Sequence, residues 1–320
     1  MIEPGGLKKH FTFFSEIIRA KEDIIVTRYQ GTMNIFLFIG GLILRLRNQK
    51  LFVDVPTPIT NLLKELFFSG KNSIIFYFKV LQIIILGPFS LLFTTAVIQY
   101  AEESKWFSIF ARKKIIKIGN GIDVKSIPLR KSSPQWPNNE IILVGVGTVA
   151  VWHGYDRLIR AIKNLTDDEK FLQRIKFNII GEGPEINNLK QLTHSLGLSG
   201  QIKFIGMLFN DKLYSQYEKA HFGIGSLGWS RVGVKEASPL KIREYLAVGL
   251  PVITATKDPD FKNKYPFYHK VSDEDETDSI ELLLKKINSI ELPTPMECRL
   301  FAQKKLDFSV KINPIFSNYI

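Results

Sequence analysis

At 320 residues the chain is long enough for two domains with ordinary cores. Its composition, 45% apolar and 23% charged, excludes a disordered protein, and its one cysteine, Cys298, excludes an internal disulfide and fits a reducing cytoplasm. The net charge is +12 and is uneven, because residues 1–131 hold 19 Lys or Arg against 9 Asp or Glu. Such a basic half suits nucleic acid, anionic lipid or a phosphate-bearing acceptor.

Nucleic acid is the weakest of these partners, so the sequence predicts none. We find no zinc-ligand spacing, no aromatic RNA-binding signature and no clear helix-turn-helix pattern. The start of the chain lacks the apolar core of a secretory signal. A cytoplasmic protein is therefore expected, with attachment at the inner face of the cell membrane as an extension of that expectation.

The first half begins with an amphipathic helix, and strands follow it. Two long apolar runs there raise the question of membrane spans. The run 35–44 is too short to cross a bilayer, and the run 74–98 is interrupted by Lys79, Gln82 and Gly87-Pro88, which favours a buried or interfacial helix followed by a strand. The predicted elements are a helix at 7–20 and strands at 23–29, 50–56, 94–100 and 115–118.

Basic residues lie close to these apolar runs. Arg45, Arg47 and the cluster 112–114 make an anionic membrane surface a candidate partner. The alternative is that the apolar runs are core elements and the charges are simply solvated.

The second half alternates strands and helices, which predicts a parallel, doubly wound sheet with helices on both faces. Ligands of such sheets bind at the carboxyl ends of the strands. The predicted strands are 140–144, 175–180, 202–205, 222–224 and 251–254, and the predicted helices are 155–165, 184–196, 211–220 and 239–248.

The most informative segment is 236–253, in which two carboxylates, Glu236 and Glu244, flank a helix start. Ser238 is a suitable N-cap and Pro239 a suitable first helical residue. The free amides of Ser238, Leu240 and their neighbours, together with the helix dipole, form an anion site, and Lys241 shares a helix face with Glu244. A capped surface helix with an ion pair is the alternative.

This segment resembles the Glu-x7-Glu motif of retaining GT-B glycosyltransferases of family 4 (group 1), which use nucleotide-sugar donors. The resemblance extends through Ser-Pro-Leu-Lys at 238–241 and Glu-Tyr-Leu-Ala-x-Gly-x-Pro-Val-Ile at 244–253. It implies that Glu236 contacts the donor sugar and that Glu244 binds the ribose. The backbone of Ser238, Pro239 and Leu240, with Lys241, would then hold the diphosphate.

Three more segments match the same family. The turn Gly181-Glu182-Gly183-Pro184 resembles the glycine-rich turn beside the nucleotide, and 120–123, Asn-Gly-Ile-Asp, resembles the end of the first domain. The loop 144–157 lies where the family binds phosphate, through amides near Gly147 and Thr148 and a hydrogen bond from His153. Its sequence at 152–157, Trp-His-Gly-Tyr-Asp-Arg, resembles a variant of this loop in bacterial glycosyltransferases of capsule, O-antigen or exopolysaccharide synthesis. Bracing of the loop by Trp152 and His153 is an equal alternative.

The sequence also departs from the family pattern. Thr148 and His153 stand where many members carry an arginine and a lysine, which leaves Lys241, with Arg243 as a second candidate, to stabilise the leaving diphosphate.

The family's opening strand and glycine-rich loop are not visible before residue 23. The predicted fold class is therefore α/β, two Rossmann-like domains (GT-B) with an incomplete amino-terminal domain. The boundaries are 1–125, a linker at 126–139, 140–295, and a terminal helix and tail at 296–320 that returns toward the first domain.

The implied activity is retaining hexosyl transfer from a nucleotide diphosphate sugar to a lipid-linked or growing surface glycan. No cofactor is expected. The Asp-x-Asp matches at 258–260 and 273–275 are interpreted as solvated loops, and the helix dipole with Lys241 can replace a metal, so no metal is expected either. A non-catalytic glycosyltransferase-like scaffold protein is the alternative. A dinucleotide-dependent dehydrogenase fits poorly, because the strand ending at Ile180 has no acid for a ribose.

Overall fold

The computed structural model describes residues 6–29, 31, 33–56, 58–60, 63, 74–100, 105–111, 114–134, 140–165 and 174–317. The chain divides into two compact units, Met1–Ile118 and Gly119–Ile320. Each unit is built on a parallel sheet, in agreement with the predicted α/β class. Of the predicted linker, 135–139 lie outside the described residues, as do Arg112 and Lys113 of the basic cluster.

The first unit has a four-stranded parallel sheet in the spatial order β1-β2-β3-β4. All four predicted strands are present, and the leading helix matches its prediction to within one residue at each end. The run 74–98 divides as expected into a helix and a strand. The bounds are α1 Gly6–Arg19, β1 Ile24–Arg28, α2 Asn34–Leu46, β2 Lys50–Val55, α3 Ile74–Ser90, β3 Ala96–Gln99 and β4 Ile115–Lys117.

Burial explains why these segments form strands. Both faces of the two central strands are covered, so 51–55 of β2 and all of β3 are buried, and these residues are apolar except for Asp54 and Gln99. Helix α3 is largely apolar, with Lys79 exposed and Gln82 half-buried, and Pro88 lies within its last turn. Among the helices described here, none is both long enough and apolar enough to cross a membrane.

The second unit has a six-stranded parallel sheet whose helices and strands follow the predicted alternation. Strand β10, at one edge of the sheet, was not predicted. The bounds are β5 Ile141–Val146, α4 Tyr155–Asn164, β6 Ile175–Ile180, α5 Ile186–Ser195, β7 Ile202–Gly206, α6 Asn210–Lys219, β8 Phe222–Ile224, α7 Leu240–Val248, β9 Val252–Thr254, β10 Tyr268–Lys270, α8 Asp278–Lys285, α9 Pro295–Phe301 and α10 Phe308–Phe316.

The strand order of this sheet, β10-β9-β8-β5-β6-β7, positions the candidate site. The chain builds outward from β5 through β6 to β7, then returns to the other side of β5 as β8. The chain after β5 and the chain after β8 therefore run toward opposite sides of the sheet, which leaves a crevice between the carboxyl ends of these two neighbouring strands. Ligands of open parallel sheets usually bind in such a crevice. Apolar cores cover both faces, one including α4, α5 and α8 and the other including α7 and residues from 298 to 306.

The segment 119–127 and the carboxy-terminal helices pack within the second unit. Asn120 donates its backbone amide to Ser238 Oγ at 2.7 Å and its side-chain amide to the Ser238 carbonyl at 2.5 Å. Ile122 pairs with Asp307, which precedes α10. The Asn-Gly-Ile-Asp motif thus lies against the start of α7, in the same unit as the predicted tail.

Candidate functional site

Helix α7 begins at the carboxyl edge of the second sheet, one residue later than predicted. Pro239 is the N-cap, with an extended ψ of 133°, and Gly249 ends the helix with a φ of 95°. Leu240, the first helical residue, is exposed. Several amides of the first turn lack intrahelical acceptors, as at any helix start, and anion binding by these amides stays a prediction.

The predicted capping role of Ser238 is wrong. No side chain caps α7, because Ser238 is buried and its hydroxyl accepts the hydrogen bond from the Asn120 amide. The serine therefore joins the helix start to the 119–127 segment. Sequence alone missed this bond, because its two partners are more than a hundred residues apart.

Lys241 and His153 converge on Gly147, in the loop after β5. A Cβ atom built on Gly147 would lie 3.4 Å from Lys241 Nζ and 3.6 Å from His153 Nε2. His153 Nδ1 accepts the Ala150 amide at 3.1 Å, so the neutral ring carries its proton on Nε2. Two hydrogen-bond donors thus face one glycine, and Thr148 is exposed beside it.

Burial favours the neutral form of both side chains. It lowers the pKa of Lys241 to about 7. For His153, burial and then the nearby Lys241 charge lower the pKa to about 3. Lys241 Nζ donates to the Tyr155 hydroxyl at 3.5 Å, and the ion pairs of the described residues include none to Lys241. An arriving anion would therefore stabilise the ammonium form.

The turn after β6 packs directly against this loop. The Gly147 amide donates to the Ile180 carbonyl at 3.0 Å, and the Val149 amide donates to the Glu182 carbonyl at 2.8 Å. Gly181 has a φ of 128°, and a Cβ there would lie 2.0 Å from the Gly147 carbonyl oxygen. The glycine is required by this approach of two backbones. The Glu182 side chain is exposed, so only its backbone takes part in these contacts.

Glu244 lies one turn into α7, within a group of tyrosines. Tyr217 of α6 donates its hydroxyl to Glu244 Oε1 at 3.1 Å. Burial raises the pKa of Glu244, and the Tyr217 hydrogen bond acts in the opposite direction. Tyr217 in turn meets the Tyr245 ring edge to face at 5.6 Å. The Tyr245 hydroxyl accepts the Val146 amide at 3.0 Å, which ties α7 to the end of β5.

Glu236 is half-buried and lines a cavity of ≈ 280 Å³ beyond the ends of β9 and β10. Gly147, His153 and Lys241 do not line this cavity. The structure thus brings Gly147, His153, Lys241 and Gly181 together, and it places Glu236 and Glu244 in separate surroundings. The cavity is lined by Trp229, Lys235, Glu236, Ala237, Ala255, Lys257, Lys270, Val271, Ser272 and Asp273.

Arg243 is excluded as a second cation for the site. Its side chain is fully buried and pairs with Asp258, and its Nη2 lies 2.6 Å from Asp260 Oδ2. The interpretation of 258–260 as a solvated loop was therefore wrong. In the part of the chain that is described, no three His, Cys, Asp or Glu residues form a group able to hold a metal ion.

The tyrosines were missed by sequence reasoning. Tyr155, Tyr217 and Tyr245 are buried, and their hydroxyls meet Lys241, Glu244 and Val146. Each lies in a helical apolar pattern, where an aromatic residue normally indicates core. Only the arrangement of three helices around β5 and β8 shows that their polar ends support the site.

Comparison with known families matches residues 127–262 to the model described as "Glycosyl transferases group 1". One curated relative, the lipopolysaccharide core biosynthesis glycosyltransferase LpsD of Rhizobium meliloti, is 32% identical over 83 residues, 26% of this chain and 22% of that protein. An uncharacterized glycosyltransferase of Haemophilus influenzae is 27% identical over 162 residues, 51% of this chain and 41% of that protein. The chain thus spans less than half the length of either relative.

Solved structures give the fold. The apo form of the lipopolysaccharide outer core galactosyltransferase WaaB has a TM-score of 0.62 and 12% identity, over 98% of this chain and 79% of that one. The pneumococcal O-GlcNAc transferase GtfA, in complex with UDP and GlcNAc, has a TM-score of 0.57 and 14% identity, over 96% and 57% of the two chains. The predicted GT-B fold class is confirmed by these likenesses and by the two parallel sheets.

Proposed function

We propose that this chain, whose residues 127–262 match the group 1 glycosyltransferases, is a glycosyltransferase of lipopolysaccharide-type biosynthesis. Its donor is a nucleotide diphosphate sugar, and its acceptor is a lipid-linked or growing surface glycan. Transfer retains the anomeric configuration. The scaffold alternative is not carried forward, because both curated relatives are named as glycosyltransferases.

The observation that carries this proposal is the pair of donors at Gly147. Lys241 Nζ and His153 Nε2 approach one backbone position beside the start of α7. A group that accepts hydrogen bonds and carries negative charge is the complement of two donors and a helix start. A diphosphate meets this requirement, and its negative charge stabilises the ammonium form of the half-buried Lys241.

The remaining residues then have consistent roles. Glu244 accepts the ribose hydroxyls while Tyr217 holds its carboxylate in place. Glu236 contacts the transferred sugar. The bond from the anomeric carbon to the diphosphate breaks, and the bonding electrons leave with the phosphate oxygen, where Lys241 and the helix amides stabilise the charge. The acceptor hydroxyl bonds to the anomeric carbon on the same face and gives its proton to the departing phosphate.

No metal or cofactor is needed in this scheme, because a lysine and helix-start amides supply the positive charge. The expected result is transfer at an undiminished rate in EDTA. Restoration of activity only by a divalent cation would contradict metal independence.

The test of donor binding uses isothermal titration with UDP and with a panel of nucleotide sugars, followed by an assay for released nucleotide diphosphate. Lys241→Met should abolish both signals, whereas Lys219→Met, which removes an exposed lysine of the same unit, should change neither. NMR of the product would assign its anomeric configuration. If no nucleotide or nucleotide sugar binds the parent chain, the proposed function is wrong.

We also propose that the protein acts in the cytoplasm at an anionic membrane surface, through its first unit. Helix α3 buries Val80 and Ile83 but exposes an apolar face, in which Phe78 is 68% and Leu81 53% exposed. Three further apolar residues, Trp106, Ile109 and Phe110, are also exposed. The rings of Phe89 and Phe110 lie 4.9 Å apart, so this group adjoins the end of α3. Exposed apolar patches of this kind mark interaction surfaces.

Charge favours a lipid surface as the partner of this face. Within described residues 74–100 and 105–111, Lys79 and Lys105 are the charged side chains, and both are exposed. Basic residues beside an apolar helix face suit an anionic interface. The protein should sediment with phosphatidylglycerol vesicles more than with neutral ones, and Phe78→Ser/Leu81→Ser should abolish this. Equal sedimentation of parent and variant would contradict the assignment.

A further inference from the structure

The cavity beside Glu236 has the composition of a sugar site with a basic rim. It lies just beyond β9 and β10, where the loops from the carboxyl ends of parallel strands meet. Its volume of ≈ 280 Å³ is just below the roughly 300–1,000 Å³ of sites for drug-sized ligands. One sugar residue, rather than a chain of them, suits that size.

One wall is a fixed aromatic surface. The ring of Trp229 stacks on Trp152 with a centroid separation of 6.2 Å and an interplanar angle of 7°. Its Nε1 donates to Thr256 Oγ1 at 3.1 Å, so both the plane and the edge of the indole are held. A rigid aromatic face packs against the apolar face of a sugar ring with little loss of side-chain entropy.

Two carboxylates supply acceptors for hydroxyl groups. Glu236 is half-buried in the wall. Asp273 is held by the Ser230 amide, which donates to its Oδ2 at 3.0 Å. Carboxylates placed in this way accept hydrogen bonds from sugar hydroxyls and orient the ring.

The charge of the cavity distinguishes it from a neutral sugar site. Lys235, Lys257 and Lys270 line it against Glu236 and Asp273, which leaves an excess of positive charge. No ion pair within the described part of the chain includes any of the three ammonium groups. The Ala237 amide donates to the Lys257 carbonyl at 3.0 Å, which fixes two of the lining segments side by side.

We propose that this cavity binds an anionic sugar, a hexose bearing a carboxylate or a phosphate, with its charged group among Lys235, Lys257 and Lys270. The inference rests on the proposed function, in which Glu236 contacts the transferred sugar. The anionic sugar is either the one carried by the donor or the residue of the acceptor that receives it.

The test has a donor arm and an acceptor arm, both by isothermal titration. The donor arm compares UDP-glucuronate with UDP-glucose. The acceptor arm compares methyl glucuronide and glucose 6-phosphate with methyl glucoside, with and without saturating UDP. We expect about a tenfold preference for the anionic sugar in one arm.

Variants of the lining residues test whether the preference for the anionic sugar arises in this cavity. Lys235→Gln/Lys257→Gln/Lys270→Gln should remove the preference and leave the affinity for UDP unchanged. The matched control, Lys203→Gln/Lys212→Gln/Lys219→Gln, removes the same charge from exposed positions of the same unit and should retain the preference for the anionic sugar. Trp229→Leu should weaken the binding of neutral and anionic sugars to the same extent.

The outcomes separate this inference from the proposed function. Equal affinities in both arms, or a preference that survives the cavity triple variant, would overturn the inference even if UDP binds well. Failure of every nucleotide and nucleotide sugar of the panel to bind would overturn the proposed function, while the acceptor arm without UDP would still decide whether the cavity takes an anionic sugar.

Discussion

The hydroxyl of Tyr217 donates a hydrogen bond of 3.1 Å to Glu244 Oε1. This contact joins α6 to α7 and fixes the orientation of a carboxylate that burial would otherwise favour in its protonated form. A carboxylate held in this way is ready to accept two vicinal hydroxyls. The contact is therefore the natural first place to test the ribose assignment.

Replacing Glu244 by Ala should weaken donor binding by about ten- to hundredfold, since hydrogen bonds to a charged group contribute roughly 1.5–3 kcal/mol. Tyr217→Phe should weaken it less, about three- to tenfold. Titration with a nucleotide sugar and its 2′-deoxy analogue measures both effects.

The deoxy analogue gives the specific readout. It should bind the parent more weakly than the ribose form, and the difference should disappear in Glu244→Ala. Tyr265→Phe, a tyrosine outside this contact, is the control. A deoxy penalty that persists in Glu244→Ala would show that another residue binds the ribose.

Donor affinity should fall as pH rises from 6 to 8.5. Burial lowers the pKa of Lys241 to about 7, so the ammonium form is lost from the free protein across this range. Since a diphosphate binds the charged form, the dissociation constant should increase by more than tenfold. The ligand does not contribute to this change, because the diphosphate of a nucleotide sugar does not titrate between pH 6 and 8.5.

Lys241→Arg is the control for this pH dependence, because arginine stays charged. Its affinity should be nearly constant over the same range. A parent protein whose affinity is also constant would show that Lys241 keeps its charge without the ligand.

Gly181→Ala should displace the loop at Gly147 and abolish donor binding, because the added Cβ would lie 2.0 Å from a carbonyl oxygen. Gly197→Ala is the matched control: its φ is also positive, at 69°, but nothing lies within 4 Å of an added Cβ. That variant should lose only about 1–2 kcal/mol of unfolding free energy, the cost of the left-handed conformation. Urea unfolding and donor titration separate the two effects, and similar binding by both variants would refute the close approach.

Arg243→Met should destabilise the second unit by about 3–5 kcal/mol, because it leaves Asp258 buried without its partner. Glu140→Gln removes a pair of 4.0 Å with a largely exposed carboxylate and should cost at most about 1 kcal/mol. Urea unfolding checks both values. A small loss for Arg243→Met would mean that Asp258 is neutral in the folded protein.

Much of the fold follows from local patterns. The strands 175–180 and 222–224 match their predictions at both ends. In the first strand apolar residues alternate with Lys176 and Asn178, a period-two pattern typical of a strand, and Gly181 and Gly225 follow the two strands directly. Strand β10 was missed, since three residues with a polar centre, His269, carry no such pattern. The Asp-x-Asp match at 258–260 was misread because its partner, Arg243, lies on another element.

The sequence by itself determined the alternation of strands and helices, and it placed the start of α7 to within one residue, at Pro239 instead of Leu240. Periodicity and the chemistry of proline and glycine act over a few residues, which is why these features can be predicted locally. Tertiary structure alone decided which side chains meet. Lys241 faces His153 across Gly147, Tyr217 holds Glu244, and Ser238 binds Asn120 instead of capping its helix. These contacts join residues from tens to more than a hundred positions apart, and only the order of strands in the sheet brings them within hydrogen-bond distance.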